Sequence, residues 1–177
     1  QINPLRLGWI DNTVGGLQGR EVLDLGCGGG ILSEAMSKKG AEVLGVDPAE
    51  KSIKIAKIHA QKCGSNVQYE YSSSEDLVSK NKMFDVITCM EMLEHVDDPD
   101  MEIKNCAALL KPSGFLVIST INRNLKSFLF AIVGAEYVLK LLPVGTHSYA
   151  KFLKPSEVSC SARNADLREI EIIGMTY

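Results

Sequence analysis

Residues 22–30 read VLDLGCGGG, a short apolar run that leads into four glycines within five residues. A glycine-rich turn after a buried strand lets the backbone approach a ligand, because no Cβ stands in the way. The dinucleotide-binding pattern G-x-G-x-x-G does not fit, because Ile31 or Ser33 stands where its third glycine would be. The pattern is D-x-G-x-G-x-G, starting at Asp24. It predicts a ligand-binding loop of another kind.

Strand-like and helix-like segments alternate on both sides of this loop. Such alternation predicts an α/β fold, a Rossmann-like, doubly wound and mostly parallel sheet with helices on both faces. We expect one domain over residues 1–177. Apolar runs typical of strands cover residues 21–25, 42–46, 67–71, 84–89, 115–120 and 167–173, and helical patterns cover residues 31–39, 50–63, 99–110, 125–142 and 155–164.

Composition narrows the function classes. The 177 residues carry a net charge of −3, which gives no reason to expect a nucleic-acid partner. The five cysteines are scattered without a C-x-x-C pair, which excludes a zinc ribbon or a disulfide framework. They and His59 are interpreted as structural. We also expect a fragment of a longer protein, because the chain starts at Gln1 in a helix-like stretch and stops at Tyr177 just after a strand-like run.

An acidic residue ends the second predicted strand, in the sequence LGVD at residues 44–47. A carboxylate at this point of a nucleoside-binding sheet can accept hydrogen bonds from both ribose hydroxyls. An Asp at a strand end can also be only a helix cap. Because Asp47 follows the glycine loop by about 20 residues, the spacing at which this ribose-binding acid is expected, we predict a ribose ligand.

Residues 90–95 read MEMLEH and follow the fourth predicted strand. In a helical turn, Glu91, Glu94 and His95 are i, i+3 and i+4 and share one face. Two carboxylates and an imidazole could hold a divalent cation, with Mg²⁺ favoured by the carboxylates and Mn²⁺ or Zn²⁺ also suited to the imidazole. Alternatively, His95 is a general base, or the cluster is a solvated acidic turn.

The glycine loop resembles the first motif of class I S-adenosylmethionine-dependent methyltransferases. Nearly the whole chain resembles one family of this class, the ubiquinone-biosynthesis O-methyltransferases. That resemblance implies the class I sheet, lacking its last strand, and methyl transfer from S-adenosylmethionine to a phenolic hydroxyl of polyprenyl hydroxyphenol and demethylubiquinol intermediates. The segments that carry it, besides the loop, are INPLRLG at 2–8, TCMEMLEHV at 88–96, TINRN at 120–124, VGAEY at 133–137 and PVGTHSYAKF at 143–152.

The same resemblance implies the site residues. The expected contacts to the methyl donor are Arg6, Gly26, Gly28, Asp47 and Met90. A guanidinium can bind the donor's carboxylate through two hydrogen bonds, and Asp24 would suit its ammonium. The turn at residues 74–76 would contact the adenine.

The expected metal ligands are Glu91, Glu94 and His95, with His95 and Glu91 also catalytic. A cation such as Mg²⁺ would lower the pKa of a phenol that is otherwise mostly neutral at pH 7.

An apolar insertion is expected at about residues 123–153. Residues 128–142 are too apolar for a surface helix and too short to span a bilayer. Arg123, Lys126 and Lys140 flank this stretch. It is interpreted either as a buried helix or as an interfacial element that meets anionic lipid, where the polyprenyl tail resides. Thr146, His147 and Lys151 would close over the ring.

The predicted location is therefore cytoplasmic and peripheral, on the inner face of a bacterial membrane, or alternatively on the matrix side of the mitochondrial inner membrane. Other enzymes of ubiquinone biosynthesis are possible partners. Three other functions stay open at this point. They are an NAD-dependent oxidoreductase, a related small-molecule or lipid O-methyltransferase, and a lipid-binding member of the fold without catalytic activity.

Overall fold

The computed structural model describes residues 3–123 and 151–174, which divide into two compact units. The first, called here the sheet unit, comprises Gln1–Met90 and Asn105–Ile118. The second unit comprises Glu91–Lys104 and Ser119–Tyr177. The single domain expected over residues 1–177 stays a prediction, because compact units can belong to one domain.

The described elements follow the predicted alternation of strands and helices. The strands are β1 (Glu21–Leu25), β2 (Glu42–Asp47), β3 (Gln68–Tyr71), β4 (Phe84–Met90) and β5 (Leu110–Ser119). The helices are α1 (Asn3–Thr13), α2 (Ile31–Ser37), α3 (Glu50–Cys63), α4 (Ser74–Ser79), α5 (Pro99–Ala108) and α6 (Pro155–Asn164), with a 3-10 turn at Leu93–His95.

The five strands form one sheet in the order β3-β2-β1-β4-β5. The β1–β2, β1–β4 and β2–β3 pairs are parallel, and Leu23 of β1 lies opposite both Leu44 of β2 and Ile87 of β4. The strand order reverses at β1, since β2 and β3 extend to one side and β4 and β5 to the other. Ligands of such sheets bind at the carboxyl ends of the strands beside this reversal. The predicted doubly wound fold is confirmed.

The core of the sheet unit is apolar. Val22 of β1 and Val86 of β4 are fully buried, as are Ile10 of α1 and Met36 of α2. On α3, Ile53, Ala56 and Ala60 recur every three or four residues and are all buried, which is the spacing of one helix face. Gly64 ends α3 with φ 63°, in the left-handed region that favours glycine.

Three predicted segments differ in the structure. Residues 167–173 form no strand, and Ile172 and Ile173 are exposed. Alternating residues favour an extended chain, but a strand also needs hydrogen bonds to a neighbouring strand. In the part of the chain that the structure describes, residues 167–173 pair with no strand of the sheet. The turn expected at residues 74–76 is instead the start of α4, because Ser73 and Asp76 form a capping box. The strand expected at residues 115–120 begins five residues earlier, because β5 runs from Leu110 to Ser119.

The second unit is organised around α6. Phe152 is fully buried, and Leu153 forms a parallel bridge with Asn122. Glu157 in the first turn of α6 accepts a hydrogen bond from the Lys154 backbone N at 2.9 Å and pairs with Arg123. Most of the predicted apolar insertion, residues 124–150, lies outside the described residues, as do Thr146 and His147. No helix among the described residues combines the length and apolarity that crossing a membrane requires.

Candidate functional site

The glycine loop after β1 is held against β2 by its backbone. The backbone N–H groups of Gly26 and Cys27 both donate to the Val46 carbonyl, at 2.8 and 3.0 Å. Gly26, Gly28 and Gly30 have φ of 73°, 54° and 83°, so this path requires residues without a Cβ. The loop predicted from D-x-G-x-G-x-G therefore lies at the carboxyl ends of β1 and β2.

Asp24 is buried beneath this loop, with only 3% of its surface exposed. Thr88 Oγ1 donates to its Oδ1 at 2.8 Å, and the Ser33 hydroxyl donates to its Oδ2. Burial raises the pKa of Asp24, and the hydrogen bonds from Ser33 and Thr88 and the charge of Arg6 oppose that rise. Both oxygens are thus used within the protein. Asp24 ties β1, β4 and α2 together, and its predicted contact to a ligand's ammonium stays untested.

Asp47 is largely buried at the end of β2 and joins that strand to the glycine loop. Its Oδ2 accepts from the Gly28 backbone N at 2.9 Å, and its Oδ1 accepts from the Ala49 backbone N at 2.7 Å. A carboxylate has about four acceptor positions, so two remain for other donors. The structure therefore brings Gly26, Gly28 and Asp47 together, as predicted, and Asp47 does not cap α3, whose N-cap residue is Ala49.

Tyr69 of β3 is a residue of this loop region that the sequence reasoning missed. Its hydroxyl donates to the Gly30 carbonyl at 3.3 Å, and burial raises its pKa. A Cβ on Gly45 would lie 2.6 Å from the Tyr69 ring and 3.1 Å from Cys27 Sγ. Burial, with Asp24 and Asp47 nearby, also raises the pKa of the Cys27 thiol, so it stays protonated. A glycine inside β2 was the available signal for this close packing.

Arg6 lies on α1, whose start contacts the start of α2. Asn3 Nδ2 donates to the Ile31 carbonyl at 3.4 Å, and Ile31 follows the last glycine of the loop. Arg6 is half-buried, and its charge acts on Asp24. The Asn-Pro-Leu-Arg segment therefore places a guanidinium near the glycine loop, which is compatible with its predicted role toward the donor's carboxylate.

Met90 is the last residue of β4, the strand beside β1 on the other side of the reversal. It is partly buried and packs against the apolar core of the sheet unit. A core contact of this kind leaves its predicted contact with the methyl donor untested.

The E-x-x-E-H segment does not form the predicted helical turn. Glu91 has φ 53° and lies outside the 3-10 turn Leu93–His95, so it does not share a helical face with Glu94 and His95. Glu91 and His95 are exposed, whereas Glu94 is buried. Across the described ranges, the one group of three such side chains with ligand atoms within 4.8 Å of one another is Glu34, His59 and Cys63. The predicted ligand set is therefore not gathered in this geometry.

Glu94 instead anchors the chain that follows β5. Its Oε1 accepts from Thr120 Oγ1 at 2.9 Å and from the Ile121 backbone N at 2.6 Å. Its Oε2 is buried and has no hydrogen-bond partner among the described residues. A buried carboxylate oxygen without a donor is costly, so this atom is an acceptor open to a cation or a ligand hydroxyl.

The predicted adenine turn at residues 74–76 forms the start of α4. Ser74 is buried and accepts from Asn105 Nδ2 at 3.0 Å. Hydrogen bonds from the backbone and hydroxyl of Ser73 lower the pKa of Asp76. Both side chains already have partners, and the contact to adenine stays a prediction.

Comparisons with known proteins agree with this geometry. The sequence matches the methyltransferase domain family over residues 8–166. It is 58% identical over 177 residues to the ubiquinone biosynthesis O-methyltransferase of Bordetella avium, covering 99% of this chain and 73% of that protein. The enzyme of the same name from Nitrosomonas europaea is 54% identical over 178 residues, with 100% of this chain and 76% of that protein covered.

Solved structures show the same fold. A magnesium protoporphyrin IX methyltransferase from Synechocystis with bound S-adenosylhomocysteine superposes with a TM-score of 0.71 at 23% identity, covering 93% of this chain and 71% of that one. The YcgJ protein of Bacillus subtilis gives 0.60 at 29% identity, with 72% of this chain and 56% of that one covered. The glycine loop, the acid that ends β2 and these relatives together show that the chain belongs to the ubiquinone biosynthesis O-methyltransferase family, within the S-adenosylmethionine-dependent methyltransferases.

Proposed function

We propose that this chain transfers a methyl group from S-adenosylmethionine to a phenolic hydroxyl of polyprenylated hydroxyphenol and demethylubiquinol intermediates. The observation that carries this proposal is the hydrogen bond between the glycine loop and Asp47. It occurs in a chain that is 58% identical to a ubiquinone biosynthesis O-methyltransferase. Membership of a methyltransferase family also counts against the NAD-dependent oxidoreductase.

The donor would be bound by the residues at the carboxyl ends of β1 and β2. The two free acceptor positions of Asp47 suit the two ribose hydroxyls, since both bonds it now makes are to backbone N–H groups. Gly26 and Gly28 leave room for the donor's amino-acid part. Arg6 supplies a guanidinium for its carboxylate. Asp24 supports this site from below, because its oxygens bind Ser33 and Thr88.

The reaction is an in-line displacement. The phenolate oxygen forms a bond to the methyl carbon as the bond from that carbon to the sulfonium sulfur breaks, which releases neutral S-adenosylhomocysteine. The phenolic proton goes to a base, and we assign that role to His95, with Glu91, four residues earlier in the sequence, as a second acceptor. Binding both reactants in one geometry supplies much of the rate enhancement.

A divalent cation such as Mg²⁺ is part of the proposal. The side-chain types of the segment suit such a cation, whereas their positions in the structure do not bring them together. Glu91, Glu94 and His95 are the groups that would hold it, and the buried Oε2 of Glu94 is an acceptor without a donor among the described residues. The three side chains are not gathered, so no step above depends on the cation. When bound, it would lower the pKa of the phenol.

We also propose that the chain binds peripherally to an anionic membrane at the inner face of a bacterial cell, where its lipid substrate and other enzymes of the pathway are found. The support is the apolar sequence of residues 128–142 with basic residues on both sides. Sedimentation with anionic vesicles tests this. We expect co-sedimentation at low salt that is lost when residues 125–142 are deleted, and binding unchanged by the deletion would contradict it.

The function is tested by methyl transfer to a short-chain demethylubiquinol analogue, measured by mass spectrometry with and without a chelator. We expect Glu91→Gln and His95→Gln to lower kcat by about 100-fold or more, in the usual range for acid–base groups, while retaining donor binding. Glu171→Gln, at an exposed carboxylate outside the proposed site, is the matched control. Full activity in both variants would remove these residues from the mechanism, and activity unaffected by the chelator would remove the cation. No transfer by the unaltered chain would favour a non-catalytic lipid-binding protein.

A further inference from the structure

Three side chains suited to metal binding meet between α2 and α3 of the sheet unit. Glu34 projects from α2, and His59 and Cys63 from α3. Glu34 Oε1 lies 2.7 Å from His59 Nδ1, and Cys63 Sγ lies 3.9 Å from His59 Nδ1 and 3.8 Å from His59 Nε2. One ligand atom from each residue lies within 4.8 Å of the other two. The group is separate from every residue assigned above to the methyl donor or acceptor.

The fold explains why these side chains converge. His59 and Cys63 are four residues apart on α3 and therefore share a helix face. Glu34 faces them from the neighbouring helix, and its side chain is only 5% exposed, against 52% for His59. A carboxylate buried to this extent requires a positively charged or hydrogen-bonding partner. The half-exposed His59 ring is its partner, and the exposed Cys63 thiol leaves the cluster open to solvent.

We propose that Glu34, His59 and Cys63 bind a Zn²⁺ ion, with water as the fourth ligand. Carboxylate oxygen, imidazole nitrogen and thiolate sulfur are the three ligand types that zinc uses, and a thiolate disfavours Mg²⁺ and Ca²⁺. A tetrahedral zinc site separates sulfur from nitrogen by about 3.6 Å, close to the 3.9 Å between Cys63 Sγ and His59 Nδ1, the ring nitrogen that also faces Glu34. On binding, zinc replaces the thiol proton, which passes to solvent.

The ion would enter between Glu34 and His59. Their hydrogen-bonded atoms, 2.7 Å apart, have to separate by less than about 1 Å to reach tetrahedral ligand spacing. Rotation of the half-exposed imidazole ring provides this movement without displacing either helix. Glu34 would exchange a bond to His59 for a bond to the metal, so its buried charge stays compensated.

Zinc at this site would link α2 to α3 close to the glycine loop. The Glu34 backbone N donates to the Gly30 carbonyl at 2.9 Å, so Glu34 lies in the first turn of the helix that leaves the loop. The ion would stabilise the folded chain by binding it and not the unfolded one. This role does not depend on the proposed methyl transfer.

The test is titration of the metal-stripped chain with ZnCl₂ by calorimetry, and with Co²⁺ by absorption spectroscopy. We expect a site of one zinc per chain, a thiolate-to-cobalt charge-transfer band, and a higher Tm with zinc. Cys63→Ser and His59→Gln change exposed or half-exposed side chains. Each is expected to weaken zinc binding at least about tenfold, because even the loss of a residue that only supports a metal ligand weakens binding by about that much. Cys160→Ser, at another exposed cysteine, is the matched control.

The outcomes separate this site from the Glu91–His95 segment. Zinc bound equally well by Cys63→Ser and the unaltered chain would overturn the proposal, as would a cobalt spectrum without the thiolate band. Loss of zinc binding in His95→Ala, with binding retained in His59→Gln, would also overturn it by moving the ion to the other segment. Each readout is binding or stability, so failure here leaves the methyl-transfer proposal unaffected.

Discussion

The glycine loop and the segment after β4 both depend on buried carboxylates, but they use them differently. Asp24 and Asp47 have hydrogen bonds on both oxygens, all from donors within the loop and its adjoining elements. Glu94 has two donors on Oε1 and none among the described residues on Oε2. The comparison teaches that the glycine loop has its hydrogen bonds complete without a ligand, whereas Glu94 still offers a buried oxygen that can accept a hydrogen bond or bind a cation.

The largest expected effect comes from removing the ribose acceptor. Asp47→Ala should weaken S-adenosylmethionine binding by about 100-fold or more, because each hydrogen bond to a charged group contributes roughly 1.5–3 kcal/mol and two are lost. Isothermal calorimetry measures the change. Asp97→Ala, at a fully exposed carboxylate, should bind the donor normally. Equal affinities for the Asp47 and Asp97 variants would show that the loop region does not bind the donor through this residue.

The second largest effect tests the structural role of Glu94. Glu94→Ala removes the acceptor for Thr120 and the Ile121 backbone, and should lower the free energy of unfolding by about 2–4 kcal/mol, measured in urea. Glu94→Gln keeps an acceptor oxygen for both donors and should cost less than half as much. An alanine variant as stable as the unaltered chain would mean that Glu94 does not anchor residues 120–121.

A smaller effect concerns the packing of the loop on β2 and β3. Gly45→Ala should lower the free energy of unfolding by about 1–3 kcal/mol, because its Cβ would meet the Tyr69 ring at 2.6 Å. Gly8→Ala on α1 is the control, since its Cβ would meet no atom within 4 Å and alanine favours the helix. Thermal unfolding compares the two. A tolerated Gly45→Ala together with normal donor binding would argue against tight packing beneath the loop.

The smallest effect is a pH dependence of opposite sign at two carboxylates. Burial raises the pKa of Asp24 above 3.8, so above that pH the folded chain holds this proton more tightly than the unfolded chain. Its contribution to stability is therefore present at lower pH and is lost as pH rises through the folded pKa. Relative to Asp24→Asn, the unaltered chain should lose stability across this window.

Asp76 provides the opposing control. Hydrogen bonds from Ser73 lower its pKa below 3.8, so its stabilisation is present above that pH and is lost as pH falls through the folded pKa. Relative to Asp76→Asn, the unaltered chain should lose stability on acidification. Urea unfolding at a series of pH values measures both differences. Two differences with the same sign would show that Asp24 is not held in an environment that favours its protonated form.

Sequence patterns predicted the parts of the molecule that local chemistry determines. The five strands from β1 to β5, the glycine loop, and the acid at the end of β2 all follow from short-range spacing, and each is present. The Tyr69 contact with Gly30 joins residues 39 positions apart and has no local pattern. Only the glycine within β2 pointed to it.

The errors have physical causes as well. The i, i+3, i+4 reasoning for residues 91–95 assumes 3.6 residues per turn, but the chain forms a 3-10 turn that starts at Leu93, and Glu91 adopts a left-handed backbone. The strand predicted at 167–173 has the right alternation but no paired neighbour. The Glu34, His59 and Cys63 group was missed because its members come from two helices that meet only in the folded chain.

The most direct measurement is a single turnover with S-adenosylmethionine carrying a ¹³C-labelled methyl group and a short-chain demethylubiquinol analogue, followed by NMR of the product. We predict that the label appears as a methoxy carbon on the ring, with one S-adenosylhomocysteine released for each methyl transferred, and that Asp47→Ala abolishes the signal at limiting donor concentration. Label on a ring carbon, or no label on the product while the donor is bound, would contradict transfer to a phenolic oxygen.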